Sequence, residues 1–268
     1  MTDQGAAAAP GRASGPVPGP DGQLRCPWGL SAPDYLAYHD EEWGHPVRGD
    51  TAIFERLCLE GFQSGLSWLT ILRKRENFRA AFAGFDAAAV AAFGEADVAR
   101  LLADPGIVRN RAKINAVIVN ARAALGLPDG LTELVWKYAG EPAAAPRTLA
   151  DVPATTPASK ALSAELKRHG FTFTGPVTAY ATMQACGIVN DHLAGCFART
   201  AWRPAAAAIR STMPASSALL VPIVTRTKPS PGAPKSSPRP RATRPRCRPT
   251  SGRTSGPAPW EEALSCTA

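Results

Sequence analysis

The sequence predicts an all-α fold, with one folded domain between about Leu24 and Thr200. Apolar residues recur at intervals of three and four along most of this stretch, which is the spacing of a buried helix face. No run of β-branched residues bounded by hairpin turns interrupts that pattern. The chain as a whole is 45% hydrophobic, so it can bury a substantial core.

The helices follow one another along the whole domain. Asp50 is expected to cap the first of them. The inward face of this first helix is predicted to carry Ile53, Phe54, Leu57, Cys58 and Gly61. Asp86 is expected to cap the helix that follows it. The remaining predicted helices span residues 87–93, 95–103, 110–125, 132–138, 159–169 and 177–186.

Both ends of the chain differ in composition from the domain between them. Residues 1–24 are rich in Ala, Gly and Pro, and residues 201–268 mix Pro, Ser, Thr and Arg without periodicity. Such segments have too little apolar surface to offset the entropy of ordering, so we expect a disordered leader and a disordered basic tail. The tail holds eleven basic and two acidic residues and accounts for the net charge of +8. Residues 1–200 hold nineteen basic and twenty acidic residues, so any nucleic-acid-binding face on the domain would be a local patch.

Composition also narrows the cellular setting. No stretch approaches the roughly 18 apolar residues that cross a bilayer, and the first residues lack the charged start and apolar run of a signal peptide. Six cysteines in 268 residues are too sparse for a disulfide scaffold. We therefore expect a cytoplasmic protein without a membrane partner, in which some cysteines are free to bind metal. We also expect a monomer.

Four residues of the types that bind zinc lie at the two extremities of the predicted domain: Cys26, His39, His192 and Cys196. His192 and Cys196 are four residues apart, so on a helical turn both side chains project to the same side. A Cys2His2 set fills all four positions of a tetrahedral site, which indicates one structural zinc ion. Because the spacing of Cys26 and His39 is not that of a standard zinc finger, a free thiol and two ordinary polar histidines remain the alternative.

A second group of unusual residues falls in segments 38–44 and 60–68. The rings of Tyr38, Trp43 and Trp68 and the carboxylate of Glu60 could form a cage for an extruded base, which needs flat faces and a polar group at its edge. Glu60 lies on a face that is otherwise apolar, so we expect it to be partly buried. Burying a carboxylate without a partner costs free energy, and a cationic ligand would relieve that cost. The alternative is that the rings are core aromatics and that Glu60 is a surface or salt-bridged residue.

Segment 101–114 predicts a short helix, a Pro-Gly turn and a long helix with a basic first turn. The turn at Gly106 exposes backbone N–H groups, and the next helix adds its N-terminal dipole, so a DNA phosphate could dock there. Arg109, Arg111 and Lys113 add positive charge. An ordinary αα-hairpin with a solvated basic turn gives the same pattern, and the second glycine of the common helix-hairpin-helix motif is missing.

Five blocks that occur in order between Arg25 and Cys196 resemble the DNA-3-methyladenine glycosylase I family. The blocks are RCPWG at 25–29, YHDEEWG at 38–44, CLEGFQSGLSW at 58–68, GIVRNRAKI at 106–114 and MQACGIVNDH at 183–192. Five blocks in sequence are far more specific than any one of them. The resemblance covers the predicted domain and says nothing of the leader or the tail.

The resemblance implies a helix-hairpin-helix DNA glycosylase fold whose termini are joined by one structural zinc ion, held by the two cysteines and two histidines named above. It implies that Glu60 contacts the excised base, that Tyr38 and Trp68 stack around it, and that Trp43 shapes the pocket. Leu66 falls where the family places the residue that fills the gap left in the duplex.

The implied activity is base-excision repair, in which the N-glycosidic bond of 3-methyladenine in double-stranded DNA is hydrolysed and an abasic site remains. Methylation at N3 gives adenine a positive charge and makes it a good leaving group, so recognition is the main task, and aromatic rings add cation–π attraction. No lysine falls at a motif position suited to a Schiff base, so we expect a monofunctional glycosylase. Two rivals stay open: a zinc-clipped DNA-binding module without catalysis, and a metalloenzyme that uses His192 at an open zinc site.

Overall fold

The computed structural model describes residues 15–141 and 143–201, and helices form nearly all of the regular structure within them. The α-helices are α1 (Pro33–Ala37), α2 (Asp50–Gln63), α3 (Trp68–Ala81), α4 (Ala87–Ala91), α5 (Glu95–Ala103), α6 (Arg111–Leu125), α7 (Gly130–Trp136), α8 (Pro157–Arg168), α9 (Pro176–Ala185) and α10 (Phe197–Ala201). Short 3₁₀ turns occupy Pro27–Leu30, Ala83–Phe85 and Leu149–Asp151, and a π-helical turn occupies Tyr38–Glu42. The predicted all-α class is confirmed.

The structure can also be compared with the predicted chain ends, helix boundaries and helix caps. The predicted tail beyond residue 201 and residues 1–14 of the predicted leader lie outside the described residues. Apart from α3, the longer helices begin and end within two residues of the predicted positions. Asp86 caps α4 as expected, because its carboxylate accepts a hydrogen bond from the backbone N–H of Ala89 at 2.7 Å. None of the described helices has the length and apolar character needed to cross a membrane.

Residues 15–24 were placed in the disordered leader by composition, but they contain an ordered antiparallel hairpin. Its strands are β1 (Val17–Pro18) and β2 (Leu24–Arg25). Between them the Asp21 carboxylate accepts hydrogen bonds from Gln23 and Arg25, and Arg25 also binds Asp40 at 2.8 Å. Polar contacts, rather than apolar burial, therefore order this segment, and composition alone does not reveal them.

Asp50 does not cap α2, which corrects the sequence prediction. Its carboxylate instead accepts hydrogen bonds from the backbone N–H groups of Leu131 and Thr132, at 3.1 and 2.8 Å, and from the Thr132 hydroxyl. Asp50 thus satisfies free donors at the start of α7, about 80 residues away in sequence. The local rule failed because the carboxylate lies beside a second helix start that only the tertiary fold brings near.

Helix α3 was not predicted. Its sequence is rich in charge, and only Ile71, Phe78 and Ala81 are buried, so its apolar periodicity is weak. The charges are used in ion pairs with neighbouring segments instead. These pairs are Arg73–Asp34, Arg75–Glu42 and Arg79–Glu55.

Helix α2 lies at the centre of the core and contacts α3, α6, α7 and α9. Nine of its fourteen residues are buried. The largest buried side chains around it are aromatic: Phe54, Phe62, Phe78, Phe82 and Phe85. Because α2 is covered on most sides, its acidic residues Glu55 and Glu60 are buried with it, and this placement creates the site described next.

Candidate active site and metal centre

A cavity of about 360 Å³ opens beside the C-terminal half of α2. Four predicted residues line it together: Tyr38, Trp43, Glu60 and Trp68. The structure therefore brings together the segments 38–44 and 60–68, as the aromatic-cage hypothesis expected. Sequence reasoning missed four further lining residues with rings or amides, namely Trp28, Tyr35, Gln63 and Gln184.

The aromatic rings of the cavity form one continuous cluster. The ring centroids of Tyr38 and Trp68 are 5.5 Å apart with a 42° tilt, and Trp28 lies 5.0 Å from Trp43 in an edge-on arrangement. A flat base held between two parallel rings needs about 7 Å, twice an ordinary contact distance. Tyr38 and Trp68 already touch, so a base must pack against the pair or separate them.

Glu60 supplies a carboxyl to the wall of this cavity, and this carboxyl has no partner among the described residues. Glu60 is only 7% exposed, and among the described residues its carboxyl makes neither a hydrogen bond nor an ion pair. Glu55, on the same helix and 8% exposed, is neutralised by Arg79 at 2.7 Å. Burial alone raises the pKa of Glu60 from 4.5 to about 8. A buried carboxyl without a partner is costly and indicates that a ligand completes it.

Two other groups of the cavity respond to the same enclosure. Burial, followed by the nearby charge of Glu60, raises the pKa of Tyr38 well above its usual value, so its hydroxyl stays neutral at physiological pH. The indole N–H of Trp68 is buried and has no hydrogen-bond acceptor within the described part of the chain. Both groups can therefore serve a ligand as neutral hydrogen-bond donors.

The orientation of the Gln184 amide is fixed by Asp191. Its Nε2 lies 2.7 Å from the Asp191 Oδ2 atom, which also accepts a hydrogen bond from the Tyr180 hydroxyl. Because an ionised carboxylate only accepts hydrogen bonds, the NH2 of Gln184 faces Asp191. The carbonyl oxygen of Gln184 is then the amide atom left to act as an acceptor. Gln184 belongs to the block 183–192, but nothing in the spacing or chemistry of that block distinguishes it from its neighbours.

The four predicted zinc ligands meet in one buried cluster. Their potential ligand atoms all lie within 4.8 Å of one another. The Sγ atom of Cys196 is 3.5 Å from His39 Nε2 and 3.7 Å from His192 Nδ1, and Cys26 Sγ is 3.8 Å from His192 Nδ1. The edges of a zinc tetrahedron built from sulfur and nitrogen ligands are roughly 3.4–3.8 Å long. The cluster could thus hold a metal ion, and these three distances fall within the range of such edges.

Hydrogen bonds around the cluster set the tautomers of both histidines. The Nδ1 atom of His39 lies 2.8 Å from the Asp40 carboxylate, and the Nε2 atom of His192 lies 3.1 Å from the carbonyl oxygen of Trp43. Both partners are acceptors, so the ring protons lie on these nitrogens and the opposite nitrogens present lone pairs to the cluster. Trp43 also lines the cavity, so one residue connects the Cys/His cluster to the aromatic pocket.

The two sulfurs of the cluster have different acidities. Hydrogen bonding with Cys26 lowers the pKa of Cys196, and the same contact, together with burial, raises the pKa of Cys26. Protein groups alone therefore stabilise a thiolate in this cluster, and a thiolate is the form of cysteine that binds a metal ion.

Among the predicted DNA-contacting residues, Lys113 of α6 reaches the turn after α2 that carries Leu66. Leu66 is 42% exposed in the turn after α2. The ammonium group of Lys113 donates to the carbonyl oxygens of Phe62, at 2.9 Å, and Ser64. Partial burial lowers the pKa of Lys113. Lys113 therefore fixes the turn that carries Leu66, in addition to any contact that it makes with a phosphate.

The hairpin before α6 differs in detail from the expectation of free backbone donors. The N–H of Gly106 donates to the Asp104 carboxylate at 2.7 Å, so this donor is already used within the protein. Arg109 is exposed, and Arg111 is exposed with a 3.4 Å contact to Glu95. The positive charge of the first turn is thus accessible, while the Gly106 N–H is not.

A larger cavity, of about 630 Å³, lies beside residues 140–147 and contains Tyr180 and Asp191 in its wall. Asp191 and Asp151 there are hydrogen-bonded, and Glu141 is exposed. The smaller cavity is the better candidate for chemistry, because only there does a buried, unpartnered carboxyl meet a cluster of rings.

The fold and the aromatic cavity are those of a base-excising enzyme, and comparisons with known proteins agree. Residues 28–199 match the family model of methyladenine glycosylases, and the chain belongs to this family. It is 49% identical over 177 residues to DNA-3-methyladenine glycosylase 1 of Escherichia coli (strain K12), covering 64% of this chain and 95% of that protein. It is 40% identical to DNA-3-methyladenine glycosylase of Haemophilus influenzae, in a match that covers 66% of this chain and 98% of that protein. The family prediction made from the sequence blocks is therefore confirmed.

A solved structure gives the same result in three dimensions. The structure of 3-methyladenine DNA glycosylase I from Staphylococcus aureus, which concerns the recognition of 3-methyladenine, superposes with a TM-score of 0.63 at 35% sequence identity. The match covers 65% of this chain and 96% of that one. The described helical domain is thus the part of the chain that carries the family fold.

Proposed function

We propose that this protein excises 3-methyladenine from alkylated double-stranded DNA by hydrolysing the N-glycosidic bond. The observation that carries the proposal is the Glu60 carboxyl, which is buried without a partner in an aromatic cavity of about 360 Å³. The relatives in Escherichia coli and Haemophilus influenzae are named for the same activity.

Charge is the basis of the selectivity. With a pKa of about 8, most Glu60 carboxyls are protonated at pH 7 in the free protein. A positively charged base lowers the pKa of Glu60 and forms an ion pair with the resulting carboxylate in a buried site. Neutral adenine does not lower this pKa and forms no ion pair. The rings of Tyr38 and Trp68 add cation–π attraction for the same base.

Hydrolysis requires little further chemistry from the protein. The positively charged base is already a good leaving group, so orienting the flipped nucleotide and admitting water are sufficient. No lysine belongs to the described wall of the cavity, which supports water as the nucleophile and a monofunctional reaction without strand cleavage. Gln184 and Trp68 offer an acceptor and a donor for the edge of the base.

The chemistry of the cluster supports one structural zinc ion. Cys26, His39, His192 and Cys196 would hold it, with four protein ligands and no open position for a reacting water. Zinc would supply a permanent cross-link between segments about 170 residues apart in sequence. This composition disfavours the metalloenzyme alternative, which needs three ligands and an open position.

The remaining parts of the proposal concern the partner and the setting. Leu66 would fill the gap in the duplex, and Arg109, Arg111, Lys113 and the Gly106 hairpin would bind the backbone, the hairpin with fewer free donors than a helix-hairpin-helix motif usually offers. We infer a monomeric protein that acts in the cytoplasm, as bacterial relatives of this family suggest.

An excision assay tests this function. The full chain is incubated with methylated duplex DNA, and the released bases are separated by chromatography. The expected product is free 3-methyladenine with an intact but abasic strand. Binding of alkylated duplex without release of any base would support the DNA-binding module instead, and strand cleavage coupled to excision would contradict the monofunctional mechanism.

A further inference from the structure

We propose that Phe173 is a second apolar contact with DNA, whose ring packs against the bases of the substrate duplex beside Leu66. The inference rests on the proposed glycosylase function, and it concerns a residue outside the aromatic cavity and the sequence blocks. It is carried by the backbone conformation of Phe173, its exposure and the groups that surround it.

Phe173 is held in an unfavourable state in two respects. Its φ angle is +56°, in the left-handed region that favours glycine and is rare for a bulky side chain. Its side chain is nevertheless 44% exposed, so burial of the ring does not compensate for the strain. Strain of this kind persists only where surrounding structure enforces it, and it is concentrated at functional sites.

Buried polar side chains enforce the conformation from both sides. Asn120, only 3% exposed, accepts a hydrogen bond from the Thr172 N–H at 2.7 Å and donates one to the Thr172 carbonyl at 3.0 Å. The hydroxyl of Ser163, 2% exposed, donates to the Thr174 carbonyl at 2.6 Å. The residues before and after Phe173 are thus fixed to the core, and the ring between them is presented at the surface.

The position of Phe173 connects it to the predicted DNA-binding face. A β-carbon at Gly61 would lie 3.7 Å from the carbonyl oxygen of Phe173, so this loop lies against the end of α2. Phe173 and Lys113 line the same narrow crevice. Lys113 in turn holds the Ser64 carbonyl, two residues before the exposed Leu66. Lys113 therefore lies between the loop that carries Phe173 and the turn that carries Leu66.

The charges around this surface favour DNA as its occupant. The basic first turn of α6 adjoins it through Lys113. The exposed cations Lys167 and Arg168 lie at the end of α8, six and five residues before Phe173, and Arg168 is 3.8 Å from Glu165. Apolar side chains flanked by cations are the pattern of proteins that insert wedges between base steps while binding phosphates. A second wedge would help to hold the duplex distorted while the damaged base occupies the cavity.

The test replaces Phe173 with a residue that suits its backbone. Asn tolerates the left-handed region, so Phe173→Asn removes the ring without adding strain. The dissociation constant is measured for a duplex containing a tetrahydrofuran abasic analogue, together with the Tm of the free protein. Loss of an aromatic contact with a base predicts at least about a fivefold increase in Kd, with a Tm equal to or above that of the wild type. Phe173→Trp should keep most of the affinity.

Leu125→Gln is the matched control, because Leu125 is also an exposed apolar residue, at the far end of α6. It should leave Kd unchanged. The proposal is overturned if Phe173→Asn binds the duplex within twofold of the wild type, or if its Tm falls, since the ring would then serve the fold. If the wild type binds the duplex and excises 3-methyladenine, and Phe173→Asn binds the duplex equally well, this inference alone is removed. Wild-type protein that releases no base removes the proposed function.

Discussion

At the scale of single residues, the chemistry depends on one carboxyl whose surroundings are apolar. The sequence predicted that Glu60 lies on an apolar face near three aromatic residues, and the structure confirms this burial and proximity. The sequence could not show that Glu60 has no partner among the described residues, whereas Glu55, on the same helix, pairs with an arginine. That difference depends on Arg79 of α3, which was itself not predicted to be helical.

The raised pKa of Glu60 predicts how activity depends on pH. The ionised carboxylate binds the cationic base, so kcat/KM for 3-methyladenine excision should increase as pH rises through about 8, where free Glu60 ionises. In the complex the cation lowers this pKa, so kcat should be nearly flat over the same range. Initial rates from pH 6 to 9, corrected for spontaneous depurination, measure both quantities. A kcat/KM that stays level through pH 8 would exclude Glu60 ionisation from recognition.

The same shift affects stability in the opposite direction. The folded-state pKa of Glu60 lies above its unfolded value of 4.5, so the native state binds the extra proton between these values. The stability associated with that proton is complete below pH 4.5 and is lost as pH rises through about 8. Glu60→Gln should therefore gain in Tm relative to the wild type when pH is raised from 6 to 9. A Tm difference that does not change with pH would contradict the burial of an ionisable group there.

At the scale of elements, contacts with distant helices fix the ends of α2. Asp50 at its start supplies donors of α7 with an acceptor, and Lys113 of α6 binds the carbonyls at its end. Apolar spacing predicted the bodies of these helices because it depends on local sequence. The partners of their ends were not predictable, because donors and acceptors of several segments compete and only the tertiary fold decides which meet.

Replacing Lys113 tests whether it holds the turn that carries Leu66. Lys113→Met should destabilise the domain by about 1 kcal/mol, because two carbonyl oxygens lose a charged donor that is partly exposed to solvent. Excision from duplex DNA should fall as the turn loosens. Arg111→Met is the stability control on the same helix, since its one ion pair with a described residue is a 3.4 Å contact between exposed groups.

Thermal unfolding and salt-dependent DNA binding separate the two possible roles of Lys113. A lower Tm for Lys113→Met, with Arg111→Met unchanged, is expected if the turn depends on this side chain. If Lys113→Met keeps the wild-type Tm and only reduces the salt dependence of binding, by one phosphate contact, the positioning role is incorrect.

At the scale of the whole molecule, a buried cluster joins the beginning and the end of the described domain. Ligand types at the two extremities suggested this closure, but spacing alone left a free thiol and ordinary histidines as the alternative. The structure adds the converging atoms and the hydrogen bonds that set both tautomers. Because Trp43 contacts His192 and also lines the cavity, closure of the domain and the shape of the pocket depend on each other.

Metal removal tests the proposed zinc. One zinc ion per chain is expected by elemental analysis, and Cys196→Ser should abolish it. Loss of a structural site costs several kcal/mol, which corresponds to a fall in Tm of roughly 10 °C for a domain of this size. His169→Asn, which alters an exposed histidine, should change neither quantity. Protein that is purified without metal and keeps its Tm in a strong chelator would show that the cluster is only a polar part of the core.

The selection of a cationic purine by the unpartnered carboxyl is tested most directly by single-turnover excision with Glu60→Gln. The amide keeps the size of the side chain but cannot become negative, so release of 3-methyladenine from a defined duplex should slow by at least about thirtyfold, the equivalent of one charge-assisted interaction. Glu133→Gln, a change at an exposed position of α7, should excise at the wild-type rate. Equal rates for wild type and Glu60→Gln would contradict the account.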